Sequence, residues 1–407
     1  MNPSGALAGL KIIECGGLVA AAYATKLLAD LGAEVIKVEP PWGDPARQRG
    51  PFPTGTPDPD ASGLFLYLNC NKRGIVADLA TAEGRELLYE LVRGADLLIH
   101  NVPPPRMARF GLEYESLAAV NQRLVEVSIT PFGTVGPYRD YEASDLTLWA
   151  AGGLAYLNGA GPGSDDLPPL KPFGLQAEFQ GALNAAVAAL GALFARRQTG
   201  TGQHVVVSIQ QCVASILELT FEYYPYMGLI ASRLGQKPIQ PLDFFECRDG
   251  WIFVCCVEEH QWERLVELMG NPEWARLEIF SNRLARGRNW DALKLLMQEW
   301  MATQSVKDLY HAAQARRIPL APVSTMGDLL KSEHLQARGF FATFESPSCG
   351  RVTIPGAPYR MQRTPWRLRT PAPRLGEHTA EVLAGIRSGN PWAHQGTPGK
   401  VAKESGS

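Results

Sequence analysis

Short β-rich runs alternate with helical runs along the first 150 residues of the 407-residue sequence, and this rhythm restricts the fold more than any other feature. Parallel strands need a crossover between them, usually a helix, so the alternation predicts an α/β chain with a mostly parallel sheet covered on both faces. Residues 10–15 read as a short apolar strand and 20–31 as a small-residue helix closed by Gly32. Residues 32–39 read as a second strand, stopped by Pro40 and Pro41. Residues 81–93 form an amphipathic helical pattern with Leu87, Leu88, Leu91 and Val92 on one stripe, and 96–100 and 123–129 are further strands. A long Ala-rich helix over 176–197 contains Gly181 and Gly191; a strand over 204–209 and a helix over 213–229 follow. The character then changes. Residues 244–257 read as a hairpin turning at Asp249-Gly250, with helices over 261–269, 290–302 and 306–315.

Composition and motifs remove several function classes. The net charge is −2, so no global basic field points to nucleic acid or an anionic membrane. Apolar stretches are interrupted before the ~18 residues needed to span a bilayer, and the first residues lack the basic and apolar regions of a signal peptide. The seven cysteines form an odd set without C-x-x-C, the expectation for reduced thiols in a cytoplasmic protein. The first strand runs into Gly16-Gly17-Leu18-Val19-Ala20-Ala21, which is not G-x-G-x-x-G, and no P-loop motif occurs. G-x-S-x-G is absent, and no two histidines have the H-x-x-x-H spacing of a helical metal site, so no metal is expected.

Eight longer strings carry more information. They are L-A-D-L-G-A-E-V-I-K-V-E-P-P-W-G-D-P-A-R from Leu28, L-N-C-N-K-R-G-I from Leu68, A-D-L-L-I-H-N from Ala95 and R-F-G-L from Arg109. F-G-T-V-G-P-Y-R-D follows from Phe132, R-R-Q-T-G-T-G-Q from Arg196, I-P-L-A-P-V from Ile318 and L-G-E-H-T from Leu375. In order and spacing they resemble the class III CoA-transferase family, which includes formyl-CoA and carnitine CoA-transferases and α-methylacyl-CoA racemase. The resemblance spans residues 8 to 385. It implies a Rossmann-like large domain from residues 1–215, a small α+β domain over 230–325 and a segment over 326–385 returning to the large domain. Residues 386–407 are expected to be a flexible tail. It also implies an interlocked-ring homodimer, with a paralogous subunit as the alternative partner.

The resemblance implies an enzyme that moves CoA from an acyl-CoA to a small carboxylic acid, with CoA as substrate and no tightly bound cofactor. CoA carries phosphates, so cations such as Lys72, Arg73, Arg47 and Arg109 are candidates to hold it. By resemblance, Leu68, Asn69, Asn71, Lys72 and Arg109 match positions that hold the nucleotide, and Asn101 matches the asparagine near the pantetheine. Val19 and Ala20 match the turn passed by the thioester, and Ala143, Ser144 and Asp145 the loop lining the inner pantetheine arm. Pro40 departs from the basic residue of formyl-CoA transferases, whose glycine-rich gate is also missing between Gln236 and Glu246.

The nucleophile position is the sharpest departure. The family places an aspartate at the start of a small-residue helix; here Ala177-Glu178-Phe179-Gln180-Gly181 puts Glu178 there. A carboxylate that the helix N-terminus holds ionised remains able to attack a thioester. Its extra methylene adds roughly 1 Å of reach, a displacement that can cost on the order of 10²-fold in rate unless the pocket has adapted. Racemase relatives carry a histidine where Ser144 stands, so the two-base pair that moves an α-proton is broken here. Three other readings stay open: a racemase, a weakly catalytic subunit of a hetero-oligomer, and a CoA-binding module without activity.

Overall fold

The computed structural model describes residues 5–161, 164–235 and 239–393. Residues up to Gly159, Pro168–Ala231 and those from Gly339 onward form one compact unit. Its centre is a sheet of six parallel strands: β1 (Lys11–Cys15), β2 (Glu34–Glu39), β3 (Lys72–Val76), β4 (Leu97–His100), β5 (Val125–Thr130) and β6 (His204–Ser208). The spatial order is β3-β2-β1-β4-β5-β6, the doubly wound arrangement. Alternate strand residues feed two cores. Ile12, Val35, Leu97 and Val127 pack on the side of α1 (Ala20–Asp30), while Ile13, Ile36 and Leu98 pack with Leu88, Leu91, Met107, Leu117 and Trp392.

The other helices of this unit that matter below are α2 (Gly63–Asn69), α3 (Ala82–Arg93), α4 (Pro104–Phe110), α5 (Tyr114–Val120), α6 (Asp145–Ala151), α7 (Leu154–Leu157) and α8 (Gln176–Thr199). By length and composition α8 could cross a bilayer, contrary to the expectation from sequence. In the fold it packs on α1, β5 and β6, burying Ala177, Ala182, Ala185, Ala189 and Leu193. Gly181 makes that approach possible, since a Cβ there would lie 2.8 Å from Ile209 Cγ1. Gly191 faces open space instead.

Two expectations need correction, and one strand has no counterpart among the elements expected from sequence. The helix expected over 213–229 is broken into Ile209–Ala214 and Leu219–Met227, with Glu218 at φ +52 between them. Residues 72–76, which open with two cations, form a buried strand because both cations find carboxylates: Lys72 meets Glu14 and Arg73 meets Glu381. The small unit comprises Ala160–Leu167 and Ser232–Arg338 and so runs past residue 325, taking the helices Met326–Lys331 and Glu333–Ala337 with it. That unit holds the antiparallel strands Leu242–Cys247, Gly250–Cys255 and Leu320–Pro322 around Phe245, Ile252, Val254, Leu265, Leu293 and Met297. Of the segment tested for a gate, Gln236, Lys237 and Pro238 lie outside the described residues.

The C-terminal part returns to the sheet. Phe344 and Ile354 of a β-hairpin pack on Leu66 and Cys70 of the α2 region. Asn71, at φ +66, donates to the Arg367 carbonyl at 2.8 Å and accepts from the amides of Arg369 (2.6 Å) and Thr370 (3.1 Å). Trp392 is buried beside Val382, so the expected tail is ordered at least to that residue; residues 394–407 lie outside the described part.

Under the α1 face lies an ion network with no solvent exposure. Lys37 Nζ sits 2.6 Å from Glu14 Oε1 and 2.7 Å from Asp44 Oδ2, and Lys72 Nζ lies 2.7 Å from Glu14 Oε2. Burial alone would raise the Glu14 carboxyl, but Lys37 and Lys72 outweigh it and hold it at about 2. Burial brings Lys72 down to about 8 against the pull of Glu14, while the carboxylates around Lys37 overcome its burial and raise it.

Replacing Glu14 by Gln leaves two buried ammonium groups with one carboxylate between them. Breaking such a pair costs about 3–5 kcal/mol, to be read from urea unfolding at pH 7. Because the folded carboxyl lies near 2 and the reference value is 4.5, its contribution is fully present above pH 4.5 and is lost as pH falls toward 2. The Glu14→Gln variant should therefore lose less stability than the parent across that window; parallel acid limbs would contradict the network's role.

Candidate active site

In a doubly wound sheet the crevice opens at the carboxyl ends of the strands where the order reverses, here between β1 and β4. Asn101, immediately after β4, closes that point. Its Oδ1 accepts from the Gly17 amide at 3.0 Å and its Nδ2 donates to the Gly17 carbonyl at 2.8 Å. Gly16, at φ +129, is required by this contact: a Cβ would stand 1.8 Å from Asn101 Oδ1. The next residue but one, Leu18, has φ +60, a costly conformation for a leucine. Its amide is held by Asp44 Oδ1 at 2.9 Å, and the same oxygen takes the Ala46 amide at 2.7 Å. The buried network thus fixes the turn that leads from β1 into α1.

A cleft of about 360 Å³ opens on this turn. Gly16, Gly17 and Asn101 form part of its wall, as do residues 77–80 after β3 and the exposed Trp42. Arg106 and Arg109, three residues apart on α4, also line it.

Glu178 stands beyond the turn, in the first turn of α8. Its Oε2 accepts from the Val19 amide at 3.1 Å and the Ala20 amide at 3.3 Å. These lie at the start of α1, so one helix N-terminus grips a carboxylate carried by another. The Glu178 amide donates to Asp145 Oδ1 at 3.1 Å, and Lys171 Nζ lies 2.9 Å from Asp145 Oδ2. Among the described residues no hydrogen bond reaches Glu178 Oε1. Burial pushes the carboxyl above its ordinary value; the Val19 amide pulls it back, Asp145 pushes it further up, and the Ala20 amide and Arg49 pull it down. The net direction is upward, with the helix-start amides opposing burial. A partly exposed aromatic wall adjoins it, with the Phe179 ring 4.7 Å edge-on to Tyr23 and Tyr23 stacked at 6.2 Å on Tyr67.

The structure brings together Val19, Ala20, Asp145 and Glu178 at one point, with Ser144 capping α6 beside Asp145 and Ala143 packed against the core. It puts Asn101 and Arg109 in the cleft. It does not bring Leu68, Asn69, Asn71 or Lys72 there. Those four precede or open β3, at the amino end of the strand, whereas the cleft takes the loop after its carboxyl end. Leu68 is buried against Val19 and Ala22, and Asn69 accepts from Lys72 Nζ at 2.9 Å. Lys72 is used up by Glu14, Asn69 and the Ala22 carbonyl, and Asn71 pins the returning chain. Arg47 is likewise committed, to Glu39 at 2.7 Å. Arg106 and residues 77–80 escaped the sequence reading. The R-M-A-R spacing could have shown Arg106 beside Arg109, and recognising β3 would have pointed to the loop after it.

Among the described residues no group of His, Cys, Asp or Glu side chains is placed to hold a metal ion. A doubly wound sheet with a carboxylate held at its switch point defines an α/β protein whose ligand crevice lies at the strands' carboxyl ends, and comparison with known proteins gives the class. The profile of CoA-transferase family III matches residues 7–379, and the chain belongs to that family. It is 32% identical over 381 residues to the succinyl-CoA–L-malate CoA-transferase alpha subunit of Chloroflexus aurantiacus, covering 93% of this chain and 88% of that one. It is 34% identical over 373 residues to the succinyl-CoA:(R)-benzylsuccinate CoA-transferase subunit BbsE of Thauera aromatica, covering 89% and 90%. A crystal structure of a CAIB/BAIF family protein from Brucella suis superposes with a TM-score of 0.85 at 32% identity, over 94% of this chain and all of the other. The protein is thus an enzyme of CoA transfer, with acyl-CoA as substrate.

Proposed function

We propose that this enzyme moves CoA from succinyl-CoA to a carboxylic acid through covalent intermediates on Glu178. The observation that carries this is the grip of Val19 and Ala20 on one oxygen of Glu178, which leaves Oε1 without a protein hydrogen bond among the described residues. Both relatives named above are named for succinyl-CoA. In the first step Glu178 Oε1 attacks the thioester carbonyl, the C–S bond breaks, and an acyl-glutamyl anhydride forms as CoA thiolate leaves. The thiolate then attacks the glutamyl carbonyl, freeing the donor acid and leaving CoA as a glutamyl thioester. The acceptor carboxylate attacks that carbonyl and expels the thiolate, giving a second anhydride. Attack by the thiolate on the acceptor's carbonyl yields the new acyl-CoA and restores Glu178. The two amides stay on the glutamyl group throughout and favour negative charge developing on its oxygen. Ser144 offers no base for α-proton exchange, which disfavours the racemase reading.

CoA fits the cleft on the same reading. Arg106 and Arg109 supply charge for its phosphates, and Gly17 and Asn101 line the path toward Val19 and Glu178. A second chain is proposed to cover the apolar stripe of α8, where Leu183, Val187, Leu190 and Phe194 are exposed at helical spacing. The relatives named as subunits leave a paralogous chain as the alternative occupant.

Treatment with succinyl-CoA and then borohydride should reduce the glutamyl thioester to an alcohol on the peptide containing Glu178. Glu178→Gln should abolish both label and transfer, and Glu178→Asp should be slower by on the order of 10²-fold, because the amides are placed for the longer side chain. Label without Glu178, or an Asp variant faster than the parent, would refute the assignment. Arg106→Ala and Arg109→Ala should each weaken CoA binding by about tenfold in calorimetry, as loss of a charge-assisted phosphate contact does; unchanged affinity in both would move CoA elsewhere. The chain expressed alone should remain dimeric in mass photometry at nanomolar concentration, and a folded monomer there would exclude a homodimer.

A further inference from the structure

The residue before α8 does nothing for the exposed amides of that helix: Leu175, at φ −102 and ψ 58, makes no side-chain cap. The first turn of any helix has amide donors without intrahelical partners, and a polar residue at the cap position ordinarily accepts from the second or third of them. Here the acceptor comes from another helix. Asp145, in the first turn of α6, takes the amide of Glu178, the third residue of α8, on Oδ1 at 3.1 Å. The helix that carries the nucleophile thus starts on a cap 33 residues away in the chain. Asp145 is buried, and among the described residues no hydrogen bond of good geometry reaches its Oδ2. The charge on that oxygen is met instead by ion pairing with Lys171 Nζ at 2.9 Å. The same ammonium donates to the carbonyls of Pro172, at 2.8 Å, and Gly174. Both carbonyls belong to the stretch that leads into α8, where Gln176 Nε2 also ties back to the Phe173 carbonyl at 3.1 Å. Lys171 therefore joins the approach to α8 to the carboxylate that caps it.

Without Lys171, Asp145 would be a buried carboxylate with one oxygen unpaired, standing beside a second carboxylate, Glu178. The strain is relieved if the first turn of α8 loosens away from Asp145. Glu178 then loses its register with the Val19 and Ala20 amides, which it meets at 3.1 and 3.3 Å. A misplacement of about 1 Å at a reacting group can cost on the order of 10²-fold in rate. Lys171 does not line the cleft that holds Asn101, Arg106 and Arg109, so its influence on the reaction runs through Asp145. We propose that Lys171 is a positioning residue for CoA transfer: by pairing Asp145 and the carbonyls before α8 it fixes the start of that helix, and with it the place of the Glu178 carboxylate. The inference rests on the reading of Glu178 as the nucleophile.

The test follows the rate at which succinyl-CoA labels Glu178 as the borohydride-trapped thioester, together with kcat and KM for exchange of isotopically labelled succinate into succinyl-CoA. Lys171→Met keeps the stem and removes the charge. It should slow labelling and exchange by about tenfold or more while KM for succinyl-CoA stays within about twofold. Lys171→Arg keeps the charge and should stay within about threefold of the parent. Asp145→Asn keeps the acceptor oxygen for the Glu178 amide and leaves no charge to pair, so adding Lys171→Met to it should cost less than about threefold more. An equal loss from Lys171→Met in both backgrounds, a rise in KM in place of the fall in rate, an Arg variant as slow as the Met variant, or no loss at all would overturn the positioning role while leaving Glu178 chemistry intact. If Lys171→Met fails to fold, Asp145→Asn against the double variant decides, because neither holds a buried unpaired carboxylate. Absence of Glu178 labelling in the parent would instead overturn the reading of Glu178, and the inference with it.

Discussion

The buried lysine at position 37 joins the scaffold to the chemistry. Its ammonium sits between Glu14 on β1 and Asp44 on the loop after β2, with no exposure on any of the three. Ions so far from water are maintained only by good geometry and full pairing, and two carboxylates against Lys37 and Lys72 balance the charge. What the network secures is shape rather than net stability. Asp44 uses its second oxygen to hold the Leu18 amide, and Leu18 occupies a backbone conformation that a leucine avoids. Asp44 on Leu18 and Asn101 on Gly17 together hold the turn that presents the Val19 and Ala20 amides to Glu178.

The Glu178 carboxylate is accordingly positioned by backbone amides, and the Glu178 backbone by the Asp145 side chain. Amides at the start of α1 hold its oxygen, and its own amide is held by Asp145 at the start of α6. Backbone dipoles fixed by helices need no reorganisation when charge moves, which suits the nucleophile's role proposed for this carboxylate. Burial works against the charged form and raises its proton affinity. A carboxylate that is more basic than usual is also a better nucleophile, and the two amides oppose the effect of burial.

The large domain was legible because its strands are apolar and its helices periodic, so β1, β2, β4, β5 and α3 stand close to where periodicity puts them. β3 was not, because K-R-G-I-V opens with two cations that look solvent-facing. Only the fold reveals that Glu14 and Glu381 bury them. The four residues matched by resemblance to the nucleotide therefore stand before or at the amino end of this strand, away from the cleft. Glu178, Val19, Ala20 and Asp145 were legible through resemblance, yet their mutual hydrogen bonds span 33 to 159 residues of sequence and no local pattern encodes them.

The glutamate at the nucleophile position can now be weighed as adapted or decayed. A decayed site would show a side chain pushed aside, with the helix-start amides left to solvent. Instead both amides converge on Oε2 at 3.1 and 3.3 Å, the Asp145 contact is satisfied at the backbone, and Phe179 fills the adjoining wall against Tyr23. An aspartate on the same backbone would fall short of those amides by roughly the rise of one methylene, about 1 Å, and could reach them only if α8 moved toward α1. The two amides at the start of α1 thus stand at hydrogen-bonding distance from the longer acid, which favours reading the glutamate as adapted rather than decayed.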